Sequence, residues 1–150
     1  MKKISILLTA AVMITLLAFA PANGDRLLGV WQSGTGKAGV KIEKIGTKYY
    51  GKIVWLKEPI DPATGKAKVD KNNPDEKLRT LPLKGYRILK DFVYKNNDEW
   101  SEGTIYDPEN GSTYKSTIKM KDDNTLDIRG YIGVQALGRT DTWKRMKLGK

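Results

Sequence analysis

From Val40 to Met146 apolar and polar residues change places at nearly every second position, and turn sequences interrupt the alternation. Val40 to Ile45 (VKIEKI) predicts a strand, Gly46-Thr47-Lys48 a turn, and Tyr49 to Leu56 (YYGKIVWL) a second strand that completes a hairpin. Tyr86 to Tyr94 predicts another strand. Trp100 to Tyr106 runs into Asp107-Pro108-Glu109-Asn110-Gly111, a turn with proline early and glycine at its end. In Ser112 to Lys121, Tyr114, Ser116, Ile118 and Met120 share one face, while Thr113, Lys115, Thr117, Lys119 and Lys121 share the other. Asp122-Asp123-Asn124 turns the chain, Leu126, Ile128, Gly130 and Ile132 form the next inward row, and Arg139 to Met146 closes the series. A short opening strand at Leu27 to Gln32 brings the count to about eight, mostly joined by short turns, as in an antiparallel meander. Closing such a meander removes its exposed edges. The expected fold class is all-β, an antiparallel barrel of about eight strands. Its interior has room for packed side chains or one small ligand.

Lys57 to Leu83 breaks the pattern, being too long and polar for a hairpin loop. Within it Asn73-Pro74-Asp75-Glu76 starts like a helix: Asn73 as cap, Pro74 at the first helical position and Glu76 completing a capping box. One short helix is expected from about Pro74 to Thr80, ended by Pro82.

The first 22 residues obey a different pattern. Lys2 and Lys3 precede an uncharged, mostly apolar run from Ile4 to Ala20, and Ala20-Pro21-Ala22 supplies the small-x-small signal for cleavage. The expectation is a signal peptide cut after Ala22 and a single exported domain over residues 23–150, in the periplasm or outside the cell. A retained membrane anchor is the competing reading, with a run at the short edge of what spans a bilayer. The mature protein is expected to have no transmembrane segment.

The chain has no cysteine and no histidine. A disulfide, a cysteine nucleophile, a histidine-based triad and a zinc–histidine site are thereby excluded. Removing Lys2 and Lys3 leaves 25 basic residues against 17 acidic, a net charge of +8. Export argues against nucleic acid as the partner, and the lysines are spread along strands as on a solvated face. A lesser reading is attraction to anionic lipid head groups or acidic envelope polymers. Asp107 and Glu109 lie in a turn, where aspartate commonly bonds its own backbone. Asp61, Asp70, Asn72 and Asp75 do not have the spacing of the regular calcium loop. Ser116 has no histidine to activate it. No catalytic residue, metal site or cofactor is expected.

Aromatics carry more information. Trp55, Trp100, Tyr114, Tyr131 and Trp143 all fall in strands. The candidate ligand-binding set is Trp55, Tyr114 and Tyr131 as apolar walls, with Arg129 holding an anionic group. Alternation warns that if Leu126 and Ile128 face inward, Arg129 lies outside, unless a bulge at Gly130 or Gly133 reverses the faces.

Five stretches together resemble the exported bacterial family DUF2147, a domain of unknown function with a lipocalin-like fold. They are Gly29-Val30-Trp31, Asp70 to Asp75 (DKNNPD), Ile105 to Tyr114 (IYDPENGSTY), Arg129 to Gly133 (RGYIG) and Leu137 to Arg145 (LGRTDTWKR). The resemblance implies a fold and an export route, and no catalytic residue. Gly29-x-Trp31 is also similar to the lipocalin opening, in which a first-strand tryptophan packs at the closed end against an arginine of the last strand. That likeness implies a structural plug of Trp31 and Arg145, with Arg139 as second choice. Three functions stay open: a protein binding a small apolar or amphipathic ligand in the barrel, an envelope protein with a filled barrel that binds a protein or polymer partner, and a hydrolase using carboxylates alone. Oligomeric state is not legible.

Overall fold

The computed structural model describes residues 23–147. The signal peptide expected at residues 1–22 lies outside them. Eight strands follow in chain order: β1 Gly29–Gln32, β2 Ala38–Ile45, β3 Lys48–Leu56, β4 Arg87–Asn96, β5 Glu99–Asp107, β6 Ser112–Asp122, β7 Thr125–Tyr131 and β8 Arg139–Arg145. Each pairs antiparallel with the next, and β1 pairs with β8, closing the barrel.

Alternation sorts the side chains as sterics require. Trp31, Val40, Ile42, Tyr49, Ile53, Leu89, Phe92, Trp100, Ile118, Met120, Leu126, Ile128 and Trp143 are buried, and with Leu27 they form one core. Glycine makes room among them. A Cβ on Gly103 would lie 2.5 Å from the Phe92 ring, and one on Gly51 would lie 2.8 Å from Leu89.

Two ends result. At one, the β2–β3, β4–β5 and β6–β7 turns meet the 3-10 helix Asn23–Leu27, so the expected opening strand starts only at Gly29. At the other lie the β1–β2, β3–β4, β5–β6 and β7–β8 connections. The helix in the long loop is a single 3-10 turn, Glu76–Leu78, capped by Asp75, whose side chain accepts from the Lys77 amide. Asn73 does not cap it: its Oδ1 accepts from the Asp75 amide and its amide group donates to Asp70 and Tyr86. The inward row of β7 also stops short. The strand ends at Tyr131, and Ile132 is exposed rather than inward.

Candidate functional site

The turn-bearing end is sealed. Trp31 is fully buried and its indole donates to the Leu27 carbonyl at 2.9 Å. Arg145 lies opposite it in the β1–β8 register, with the guanidinium carbon 4.1 Å from the ring centroid. The same guanidinium donates to the carbonyls of Leu28 (2.9 Å), Arg26 (2.9 Å) and Asp123 (2.6 Å), tying the 3-10 helix and the β6–β7 turn to the last strand. Burial pulls the Arg145 pKa below its ordinary value. Each of the three guanidinium nitrogens thus donates to a backbone carbonyl of this end.

At the opposite end the inner face is half-buried to exposed. Leu126 and Trp143 are paired and buried, and Ile128 pairs with Asp141 and Gly130 with Arg139. The same inner face therefore carries Gly130, Asp141 and Arg139 to the rim. A Cβ on Gly130 would meet Ile105 at 3.4 Å and Tyr114 at 3.5 Å, which brings those two beside it. Ile105 and Tyr114 are paired and half-buried, while Arg139 and Asp141 are exposed. Asp141 is engaged, accepting from the Trp143 indole at 2.6 Å and from the Gly34 amide at 3.2 Å. Arg139 forms no ion pair among the described residues. One layer below, Ser116 pairs with Gly130; its hydroxyl is buried and has no hydrogen-bond partner among the described residues. Buried hydroxyls are normally satisfied, so this atom offers an unused hydrogen bond just under the mouth.

The residues anticipated as a ligand set are not assembled there. Tyr114 lines the mouth. Arg129 lies on the outer face, as alternation with the buried Leu126 and Ile128 demands, and donates to the carbonyls of Gln135 (2.8 Å) and Ala136 (3.0 Å) and to the Thr140 hydroxyl (2.8 Å). Tyr131, two residues along, shares that outer face. A bulge moves Trp55: the register steps from Val40↔Ile53 to Gly39↔Trp55, leaving Val54 extra. Trp55 then covers Gly39 on the outer wall, where a Cβ would meet Trp55 at 3.2 Å and Met146 at 3.1 Å.

The outer wall holds a feature that the alternation gave no sign of. Lys90 pairs with Thr104 and Tyr106 with Thr113, on the face opposite Leu89, Ile105 and Tyr114. The long loop straps across it. Asp70 is 1% exposed and accepts from the Tyr106 phenol at 2.8 Å and from Asn73 at 2.7 Å. Asn72 donates to the carbonyls of Pro108 and Glu109, fastening the strap to the β5–β6 turn. A cleft of 110 Å³ remains between strap and wall, lined in part by Asn73, Tyr86, Lys90 and Tyr106. Burial, then the bond to Asp70, pushes the Tyr106 pKa well up. Only a strongly polar loop residue hinted at Asp70, and nothing in the sequence paired it with Tyr106.

Asp107 accepts from the Glu109 amide, and Glu109 pairs with Lys37 at 2.8 Å. Asp61 accepts from the Ala63 amide. Among the described residues no three acidic side chains cluster as a metal site would need.

Over residues 29–145 the chain matches the model of a family described as uncharacterized proteins conserved in bacteria, DUF2147. Among solved structures it is similar to protein HP1028 of Helicobacter pylori, described as belonging to the lipocalin family. The two share 28% identity at a TM-score of 0.68, covering 81% of this chain and 83% of that one. No curated protein matches it.

Proposed function

The chain belongs to the DUF2147 family, and from that premise we propose that it binds, without transforming it, a small amphipathic molecule at the open mouth of its barrel. The observation that carries this reading is the inner-face row of half-buried Ile105, Tyr114 and Gly130 with exposed Arg139, at one end of an otherwise packed barrel. Ile105, Tyr114 and the flat Gly130 backbone give an apolar wall. Arg139 gives a cation to an anionic head group, taking the role for which Arg129 was the sequence candidate. The Ser116 hydroxyl supplies one further polar contact. The likeness to a lipocalin-fold protein is compatible with this class of ligand. The apolar run before Ala22 supports export, and a mature N-terminus at Asn23, read by N-terminal sequencing, is the expected result.

The test is titration of fluorescent fatty-acid probes against wild type, Tyr114→Ala and Arg139→Gln. Saturable binding weakened at least about tenfold by Arg139→Gln is expected, since a charge-assisted contact contributes roughly 1.5–3 kcal/mol. Binding unchanged by both variants would overturn the mouth as the site.

A second reading has its own support. Trp31, Phe92, Trp100, Ile118 and Leu126 fill the lower interior, so no deep calyx is needed to explain the fold. On that reading the barrel is a rigid platform for a partner, and absence of saturable binding to any probe favours it.

A further inference from the structure

The β7–β8 connection, residues 132–138, reads Ile-Gly-Val-Gln-Ala-Leu-Gly: seven positions without a charge, in a chain that is 29% charged. Its aliphatic side chains face solvent, with Ile132 75%, Val134 58% and Leu137 81% exposed. Looseness does not explain this. Arg129 holds the carbonyls of Gln135 and Ala136, and the Gln135 side chain donates to Thr117 on β6 at 3.1 Å. The Gln135–Leu137 3-10 turn adds Leu137 N to Val134 O (3.2 Å) and Gly138 N to Gln135 O (3.1 Å). The backbone is pinned to the outer wall, and the apolar side chains are turned away from it.

The wall beneath is mostly basic. Lys115 pairs with Tyr131 at the foot of the loop, and Lys119 follows on the same face; neither forms an ion pair among the described residues. Lys119 and Arg129 line a groove of 190 Å³ between wall and loop, with Glu99 and Asp127 as its acidic members. Asp127 already faces Lys121 at 3.6 Å and accepts from Thr142.

We propose that this loop is an interfacial membrane anchor, which sinks Ile132, Val134 and Leu137 into a bilayer bearing anionic lipids while Lys115 and Lys119 meet the head groups. Fixed aliphatic side chains beside unpaired lysines are what shallow insertion into an anionic surface uses. A second copy of the chain fits less well. It would set two basic walls face to face, and one short loop falls far below the roughly 1,200 Å² that a stable interface buries. The anchor uses other residues than the mouth, so either can fail alone.

The chain from Asn23 contains the eight strands and the buried core of the described residues, Leu27 to Trp143, and is the protein to use, free of the apolar run at Ile4 to Ala20. It is sedimented with vesicles of phosphatidylcholine, with and without phosphatidylglycerol. Partition onto the anionic vesicles is expected, weakening as salt is raised. Joint replacement Ile132→Ser, Val134→Ser and Leu137→Ser should lower it at least about tenfold, with an unchanged thermal transition. Lys115→Glu with Lys119→Glu should abolish the preference for phosphatidylglycerol, and Tyr114→Ala should change nothing. Because the chain has no cysteine, Leu137→Cys carries an environment-sensitive dye at that one position, which should shift to the blue on the vesicles. No partition by wild type, full partition by the triple serine variant or an unshifted dye would each overturn the proposal. So would a loop-dependent dimer in sedimentation equilibrium.

Discussion

Tyr106 and Asp70 are 36 positions apart in the chain and 2.8 Å apart in space. Removing the phenol leaves a buried carboxylate short of one donor, so Tyr106→Phe should cost about 1.5–3 kcal/mol in denaturant unfolding. Burial of the phenol, reinforced by the same bond, sets an alkaline limit. The folded protein holds the Tyr106 proton more tightly than the unfolded chain, whose tyrosines titrate near about 10. This contribution is complete below that value and is lost as pH rises beyond it. Melting temperatures taken at pH 8 and above pH 10 should therefore fall more steeply for wild type than for Tyr106→Phe. Trp31 and Arg145 form the other residue-scale unit. Trp31→Ala should cost about 3–5 kcal/mol and Arg145→Ala less. A double-mutant cycle should be non-additive, since the two share one contact at 4.1 Å; additive losses would mean that the stacking contributes nothing.

Strands turn these pairs into walls, and their irregularities decide what faces where. On β5 the register steps from Trp100↔Ile118 to Gly103↔Ser116, with Glu102 at φ 65°. This bulge keeps both Trp100 and Gly103 buried, and Gly103 leaves the space that the Phe92 ring occupies. Gly103→Ala should cost about 1–3 kcal/mol by overpacking, read as a lower denaturant midpoint at unchanged slope. A neutral result would show that Phe92 can retreat. The bulge on β3 has the opposite consequence, carrying Trp55 out of the interior. At the end of β7, Gly133 at φ 74° turns the chain so that Arg129 can grip the connection, which ends the strand before Ile132 can join the inward row.

For the molecule as a whole the weak point is the seam. β1 and β8 share two registered pairs, Trp31↔Arg145 and Gln32↔Lys144, against seven between β5 and β6. Opening a barrel exposes the edges with the fewest ladder bonds first. Amide hydrogen exchange should therefore be faster in β1 and β8 than in β5 and β6, and uniform protection would show that the Arg145 bonds to Arg26 and Leu28 compensate. The strap from Val69 to Pro82 stiffens the opposite side, where Asp70 and Asn72 fasten it to β5 and the β5–β6 turn.

Period-two alternation together with turn residues was enough to expect about eight antiparallel strands, because burying one face of each strand is a local demand that every second residue records. The connecting turns were legible for a different local reason, the glycine, aspartate and asparagine of Gly46-Thr47 and Asp122-Asp123-Asn124. Alternation even placed Arg129 outside, given Leu126 and Ile128 inside. What it could not supply was any event that shifts the count by one or joins distant segments. The extra residue at Val54 that expels Trp55, the early end of β7 and the meeting of Asp70 with Tyr106 belong to that class. So does the mouth, since Tyr114 and Arg139 become neighbours of Gly130 only when β6, β7 and β8 lie side by side. Local sequence records which face of a strand is buried; register and closure, which depend on hydrogen bonding between strands, decide which inner-face residues meet at the rim.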